Sequence, residues 1–155
     1  MELLENLLAD CIGGLDLGPV VQVKPDLTIG ATIQAMRSAG RGCALVESSG
    51  RLVGLFTERD VLTRVLIKDV SLDDPITAVA TQDPITVTAE DSIATALRKM
   101  RGGDFRHLPL VDQGDKIKGV VSIKDIVCYL VEHFPQSIYN LPPDASQIQT
   151  QREGA

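Results

Sequence analysis

The chain is written twice. With residues 21–65 laid over residues 85–130, apolar, polar and turn-forming positions coincide. Val21-Gln22-Val23-Lys24-Pro25-Asp26 falls on Ile85-Thr86-Val87-Thr88-Ala89-Glu90, and Ile29, Ile33 and Met36 fall on Ile93, Leu97 and Met100. Further on, Leu45-Val46-Glu47 falls on Leu110-Val111-Asp112, and Gly54-Leu55-Phe56-Thr57-Glu58-Arg59-Asp60 falls on Gly119-Val120-Val121-Ser122-Ile123-Lys124-Asp125. The second set is displaced by one residue relative to the first, which places an insertion in the second copy near Gly102-Gly103. Each copy is one supersecondary unit, and a unit of about 60 residues makes a marginal core alone. Two such units must therefore pack on each other.

Each copy reads strand, helix, strand, strand, helix. Asp26 or Thr28, and Asp91 or Ser92, are candidate caps for the first helix. Its apolar positions recur at helical spacing, and Gly40 and Gly42, or Gly102 and Gly103, are expected to end it. Ser48-Ser49-Gly50 and Gln113-Gly114-Asp115 read as hairpin turns. The closing helix is expected to bury Val61, Leu62, Val65 and Leu66 in copy one, and Ile126, Val127, Leu130 and Val131 in copy two. Aromatic residues make up only 3% of a chain that is 44% hydrophobic, so aliphatic side chains must build the core. The fold class is α/β (α+β): two βαββα repeats packed with pseudo-two-fold symmetry, plus an N-terminal helix and an extended C-terminal tail. The expected divisions are 1–18 for the helix, 19–70 and 71–133 for the repeats, and 134–155 for the tail.

The repeat spacing, the two Gly…Thr/Ser-x-x-Asp segments and Arg106-His107-Leu108-Pro109-Leu110-Val111-Asp112 resemble a tandem pair of CBS domains, the unit also called a Bateman module. The resemblance covers about residues 19–133. It implies two clefts between the copies and an adenosine ligand in them. Asp60 and Asp125 are then ribose partners, and Thr57 and Ser122 phosphate partners. Arg41 with Arg106, and His107, fall near the phosphates, with Arg59 and Lys124 within reach. Val21 and Val23 in one cleft, and Ile85 and Val87 in the other, are placed at the adenine and also expected in the core. The resemblance favours the site built on Asp125, with Ser122, Arg106 and His107, as the tighter one. The same Thr/Ser-x-x-Asp spacing is also a capping box, which satisfies only its own helix start.

The formal net charge of −6 argues against nucleic acid, whose phosphates need a basic face. Cys11, Cys43 and Cys128 form no disulfide framework and no zinc pattern, and Cys128 is expected in the core. Glu2, Glu5 and Asp10, with no early Lys or Arg, do not read as a secretory leader. No apolar run is long enough for a membrane span, and a cytoplasmic location is expected. Leu3, Leu4, Leu7, Leu8, Ile12 and Leu15 form one apolar face, either packed on the body or in a dimer contact. The CBS resemblance implies a homodimer.

These features point to a non-catalytic regulatory module, with an effector protein as its reader. It would bind AMP, ADP or ATP; S-adenosylmethionine or a dinucleotide would use the same ribose carboxylate. The alternative is a ligand-independent oligomerisation and interaction module. No P-loop, dinucleotide fingerprint or nucleophile–base set argues for an enzyme.

Overall fold

The computed structural model describes residues 2–134; the tail expected over 134–155 lies outside them except for Phe134. Helix α1 (Glu2–Ala9) and a 3-10 turn (Ile12–Gly14) lead to β1 (Gln22–Val23), α2 (Ile29–Ala39), β2 (Cys43–Ser48) and β3 (Arg51–Thr57). Helix α3 opens as an α-helical turn (Glu58–Asp60) and continues as a π-helix (Val61–Leu66). A second 3-10 turn (Ile76–Ala78) leads to β4 (Thr81–Gln82), then α4 (Ile93–Gly103), β5 (His107–Val111), β6 (Ile117–Ser122) and α5 (Ile123–His133).

The first sheet runs β1-β2-β3-β4, with β1 parallel to β2 and the other pairs antiparallel. The second holds the antiparallel pair β5-β6. Its expected first strand is reduced to Val87, whose N–H donates to the Pro109 carbonyl at 2.9 Å and whose carbonyl accepts from Val111 at 3.0 Å. Thr28 and Ser92 cap α2 and α4, each side chain accepting a backbone N–H three residues on. Gly40 ends α2 in the left-handed region. In α4 the helix instead runs through Gly102-Gly103 and stops at Asp104, φ 56°. Asp tolerates that conformation at modest cost because its short polar side chain can bond locally.

Strand alternation decides the packing. Ala44, Val46 and Phe56 face α2 and its neighbours, while Cys43, Leu45 and Leu55 meet Val120 of the other repeat. The two sheets thus share a small apolar interface, and Leu52 N–H donates to the Asp115 carbonyl across it at 2.9 Å.

The structure moves the insertion. Gly42 carbonyl accepts from Glu58 N–H just as Arg106 carbonyl accepts from Ile123 N–H, both at 3.0 Å. Cys43 pairs with Thr57, and His107 pairs with Ser122. The bulges fall at Val46/Glu47 and Leu110/Val111. Arg106 therefore matches Gly42, His107 matches Cys43, Pro109 matches Leu45, and Arg41 matches Phe105. The extra residue sits in the second hairpin. Copy one turns through Ser49 (φ 51°) and Gly50 (φ 80°) alone, a two-residue loop of the kind that suits strand twist. Copy two uses Gln113-Gly114-Asp115, with only Asp115 at positive φ, 59°. The Asp112 carboxylate accepts from Gly114 and Lys116 N–H groups and so holds that loop.

The repeats also interlock. Ile12 and Ile76 are both 0% exposed. Ile76 N–H donates to Leu27 and Ile29 N–H to Asp74; Ile12 N–H donates to Asp91 and Ile93 N–H to Asp10. The segment ahead of copy one thus completes the core of copy two, and the segment ahead of copy two completes the core of copy one. The Tyr129 hydroxyl, donating to the Asp10 carboxylate, ties α5 to the same N-terminal segment.

Two burial expectations are corrected. In the closing helices only Val65 and Ile126 are fully buried, while Leu62 (59%), Leu66 (64%), Val127 (51%) and Val131 (36%) are exposed. Cys128 is exposed as well. A helix lying on one sheet buries a single stripe, and the remaining apolar positions of α3 and α5 face outward. Helix α1 lies on α4 and lends Leu7 to the second core, leaving Leu4 and Leu8 exposed.

Candidate functional site

A cleft of about 710 Å³ opens where the two copies meet. One wall is the start of α3: Thr57, Glu58, Arg59 and Asp60, then Leu62, Thr63 and Arg64. The opposite wall comes from copy two: Ile85 and its neighbours ahead of the repeat, and Phe105, Arg106 and His107 at the start of β5. A volume of this size is in the ordinary range for small-molecule sites.

Both Thr/Ser-x-x-Asp segments are complete capping boxes. Thr57 N–H donates to Asp60 Oδ2 at 2.9 Å, and Asp60 N–H donates to Thr57 Oγ1 at 3.3 Å. Ser122 N–H and hydroxyl donate to Asp125 Oδ2 at 2.8 and 2.9 Å, and Asp125 N–H donates to Ser122 Oγ at 3.1 Å. The caps leave chemistry to spare. Among the described residues Thr57 Oγ1 serves only as an acceptor, so its proton is available to a ligand. Among the described residues Asp60 Oδ1 meets only Arg64 Nε, at 3.5 Å, and retains lone pairs.

Helix α3 departs from its copy-two counterpart beyond Asp60. Thr63 Oγ1 donates to the Arg59 carbonyl at 3.0 Å; Ile67 and Val70 N–H groups reach back five residues, to Leu62 and Val65. A side-chain hydroxyl competing for a helix carbonyl loosens the regular ladder, and the copy-two counterpart of Thr63 is Cys128. The wider turn carries Leu62, Thr63 and Arg64 on the cleft wall.

Charge in the cleft is mixed. Arg59 is tied to Asp104 at 3.1 Å and Arg64 to Asp60. Among the described residues Arg106 forms no ion pair. His107 Nε2 and the Glu58 carboxylate both lie beside Gly42: a Cβ built there would sit 3.4 Å from one and 3.5 Å from the other. Burial holds the His107 pKa below its ordinary value, with Glu58 and Asp125 opposing and Arg41 and Arg106 reinforcing. Burial likewise pushes the Cys43 thiol up to about 11. The His107 shift fixes a sign. The unfolded chain takes up its proton first, so stability is lost as pH falls below about 6.5. Urea unfolding at a series of pH values should show this slope, and His107→Gln should flatten it.

Of the sequence-derived candidates, the cleft gathers Thr57, Arg59, Asp60, Ile85, Arg106 and His107. Val23 and Val87 are core residues and Val21 is half-buried, but Ile85 is 48% exposed and lines the cleft. Ser122, Lys124 and Asp125 lie at the start of α5, off this lining, although His107 is the strand partner of Ser122. Arg106 and His107 line the cleft with Thr57 and Asp60, and the Asp125 charge also reaches His107. The guanidinium of Arg41 lies on Gly18. Sequence reasoning missed Leu62, read as part of an apolar helix stripe, and also Thr63 and Phe105.

The CBS domain family model matches residues 15–67 and again 70–132. The chain belongs to the CBS domain family, as a tandem pair. It is 34% identical over 114 residues to an uncharacterized 17.7 kDa protein of Acidianus ambivalens, covering 73% of this chain and 68% of that one. It spans only 14–15% of the Arabidopsis thaliana CBS-domain relatives it also matches. The CBS domain protein PAE2072 from Pyrobaculum aerophilum, solved complexed with AMP, shares 28% identity at a TM-score of 0.70, with 79% of this chain and 98% of that one covered. The CBS domain pair of protein MJ0100, solved with 5′-methylthioadenosine and S-adenosyl-L-methionine, superposes with a TM-score of 0.72 over 79% of this chain and 96% of that one. At 18% identity, that likeness is one of fold. Among the described residues no helix is long and apolar enough to cross a membrane.

Proposed function

We propose that the protein is a regulatory module that binds an adenosine-containing ligand in the cleft built on Asp60, without turning it over. The observation that carries this reading is the meeting of four groups in one cleft: a carboxylate with spare lone pairs, a hydroxyl with a spare proton, an exposed aliphatic surface and a guanidinium with no ion pair among the described residues. Asp60 accepts the ribose diol, Thr57 and Arg106 take a phosphate, and Ile85 lies against the base. Arginine suits a phosphate because its planar fork can donate two parallel hydrogen bonds. The AMP complex of the Pyrobaculum relative supports the same ligand class. Ligand that touches both repeats favours one relative orientation of them, and an effector protein reads the shift. Calorimetry with AMP, ADP, ATP, S-adenosylmethionine and 5′-methylthioadenosine tests the reading. Binding of at least one at about millimolar concentration or below is expected; no binding by any of them refutes it.

A homodimer belongs to the same proposal. Leu62 and Leu66 of α3 correspond to Val127 and Val131 of α5 through the repeat, and all four are exposed. Pseudo-two-fold symmetry thus gives the body matched apolar stripes, a surface that a second copy can cover isologously. Leu66→Glu with Val131→Glu should convert a dimer to a monomer in sedimentation equilibrium. The double variant sedimenting like the parent chain would place the interface elsewhere. These stripes also favour a second reading, a ligand-independent assembly module. In it, Asp60 and Asp125 act only as caps, and alanine at either costs about 0.5–2 kcal/mol of stability and alters no ligand response.

A further inference from the structure

We propose that Glu58 sets which adenosine ligands the Asp60 cleft accepts: its carboxylate admits a single phosphate at most and turns away di- and triphosphates. This rests on the ligand-binding reading above. The cations of the cleft are mostly committed. Arg59 is tied to Asp104 and Arg64 to Asp60, which leaves Arg106 as the lining guanidinium with no ion pair among the described residues. Two lining carboxylates, Glu58 and Asp83, also form no ion pair among the described residues, and both are exposed. His107 adds little positive charge at neutral pH, because burial holds its pKa below the ordinary value. A lone guanidinium can fork onto one phosphate. Each further phosphate brings more negative charge, and the wall meets it with carboxylates. The formal net charge of −6 adds to the repulsion at longer range.

Glu58 is the better placed of the two carboxylates. A Cβ on Gly42 would lie 3.5 Å from Glu58 Oε2 and 3.4 Å from His107 Nε2. The carboxylate therefore stands over Gly42 on the cleft wall, beside the residue that follows Arg106. The fold does not require it there. Its backbone N–H donates to the Gly42 carbonyl at 3.0 Å, and Ile123, its copy-two counterpart, makes the same bond to the Arg106 carbonyl without any charge. Of the two copies only the first carries a carboxylate at this position.

Calorimetry of the full chain with AMP, ADP and ATP in magnesium-free buffer, paired with thermal melts to confirm folding, tests this. The parent chain is expected to bind AMP at least about tenfold more tightly than ATP at low salt, since like charges then face each other across the contact. The gap should shrink as salt screens it, and Glu58→Gln should close most of it. A carboxylate that only favours the start of α3 through the helix dipole would move the melt and leave the ratio of AMP to ATP affinity unchanged. ATP binding to the parent as tightly as AMP, or a folded Glu58→Gln chain with the parent's ratio, would overturn the proposal while leaving the ligand-binding reading in place. If the parent binds only S-adenosylmethionine or 5′-methylthioadenosine, Glu58→Gln should admit AMP, and its failure to do so would overturn the proposal as well. No binding of any adenosine compound would overturn both.

Discussion

Ile12→Ala should destabilise the protein by about 2–5 kcal/mol, the range for emptying a closed aliphatic site, although Ile12 lies ahead of the first repeat. Its side chain is fully buried among Val87, Ile93, Leu108 and Ile126 of the second repeat. Ile76→Ala should cost a similar amount, because Ile76 fills the corresponding place against Ile29 and Phe56 in the first. Domains of this size are stable by only about 5–15 kcal/mol, so either change brings the chain near its unfolding threshold. The shared interface of Cys43, Leu45, Leu55 and Val120 should keep the transition cooperative, with both repeats lost together. Urea denaturation measures it, with Leu4→Ala as the control. Leu4 is 58% exposed, and its removal should stay within about 0.5 kcal/mol. An Ile12→Ala penalty as small as that of Leu4→Ala would show that the N-terminal segment is a mere appendage.

Asp60→Ala should weaken AMP binding by about 10- to 150-fold. Hydrogen bonds to a charged group contribute about 1.5–3 kcal/mol each, and a factor of ten is about 1.4 kcal/mol. The same change removes half of a capping box and the Arg64 contact, so stability falls as well. The two effects separate through Thr57→Ser, which keeps the hydroxyl acceptor for the Asp60 N–H and should leave affinity within a few-fold. Titration calorimetry beside thermal melts checks this. An Asp60→Ala chain that melts lower yet binds AMP unchanged would assign Asp60 to capping alone.

The repeat made most of the fold legible before any coordinates. The order of elements within each copy, helix caps at Thr28 and Ser92, and both hairpins follow from local chemistry that one sequence carries. What it hid has physical causes. Two apolar strands can be slid by one residue against each other without losing their hydrophobic match. The true register appears only when side-chain alternation is fixed by a neighbouring layer. That slip paired Arg41 with Arg106 in place of Gly42. The interlocking of the repeats was equally silent, because Ile12 and Ile76 stand in short segments with too little pattern to align. Leu62, Leu66, Val127 and Val131 read as core because a helix apolar on two sides gives the same periodic signal whether a sheet or a second copy covers the other side. Of the site, the residue types were legible and their grouping was not.

A nucleotide site in the cleft between the repeats must report ligand at residues of both repeats. The most direct test is a titration of isotope-labelled protein with AMP, followed by backbone amide NMR. Saturable shifts are predicted at Thr57, Asp60, Ile85, Arg106 and His107, contributed by both repeats at once. Shifts absent at millimolar AMP, or confined to residues outside that cleft, would contradict it.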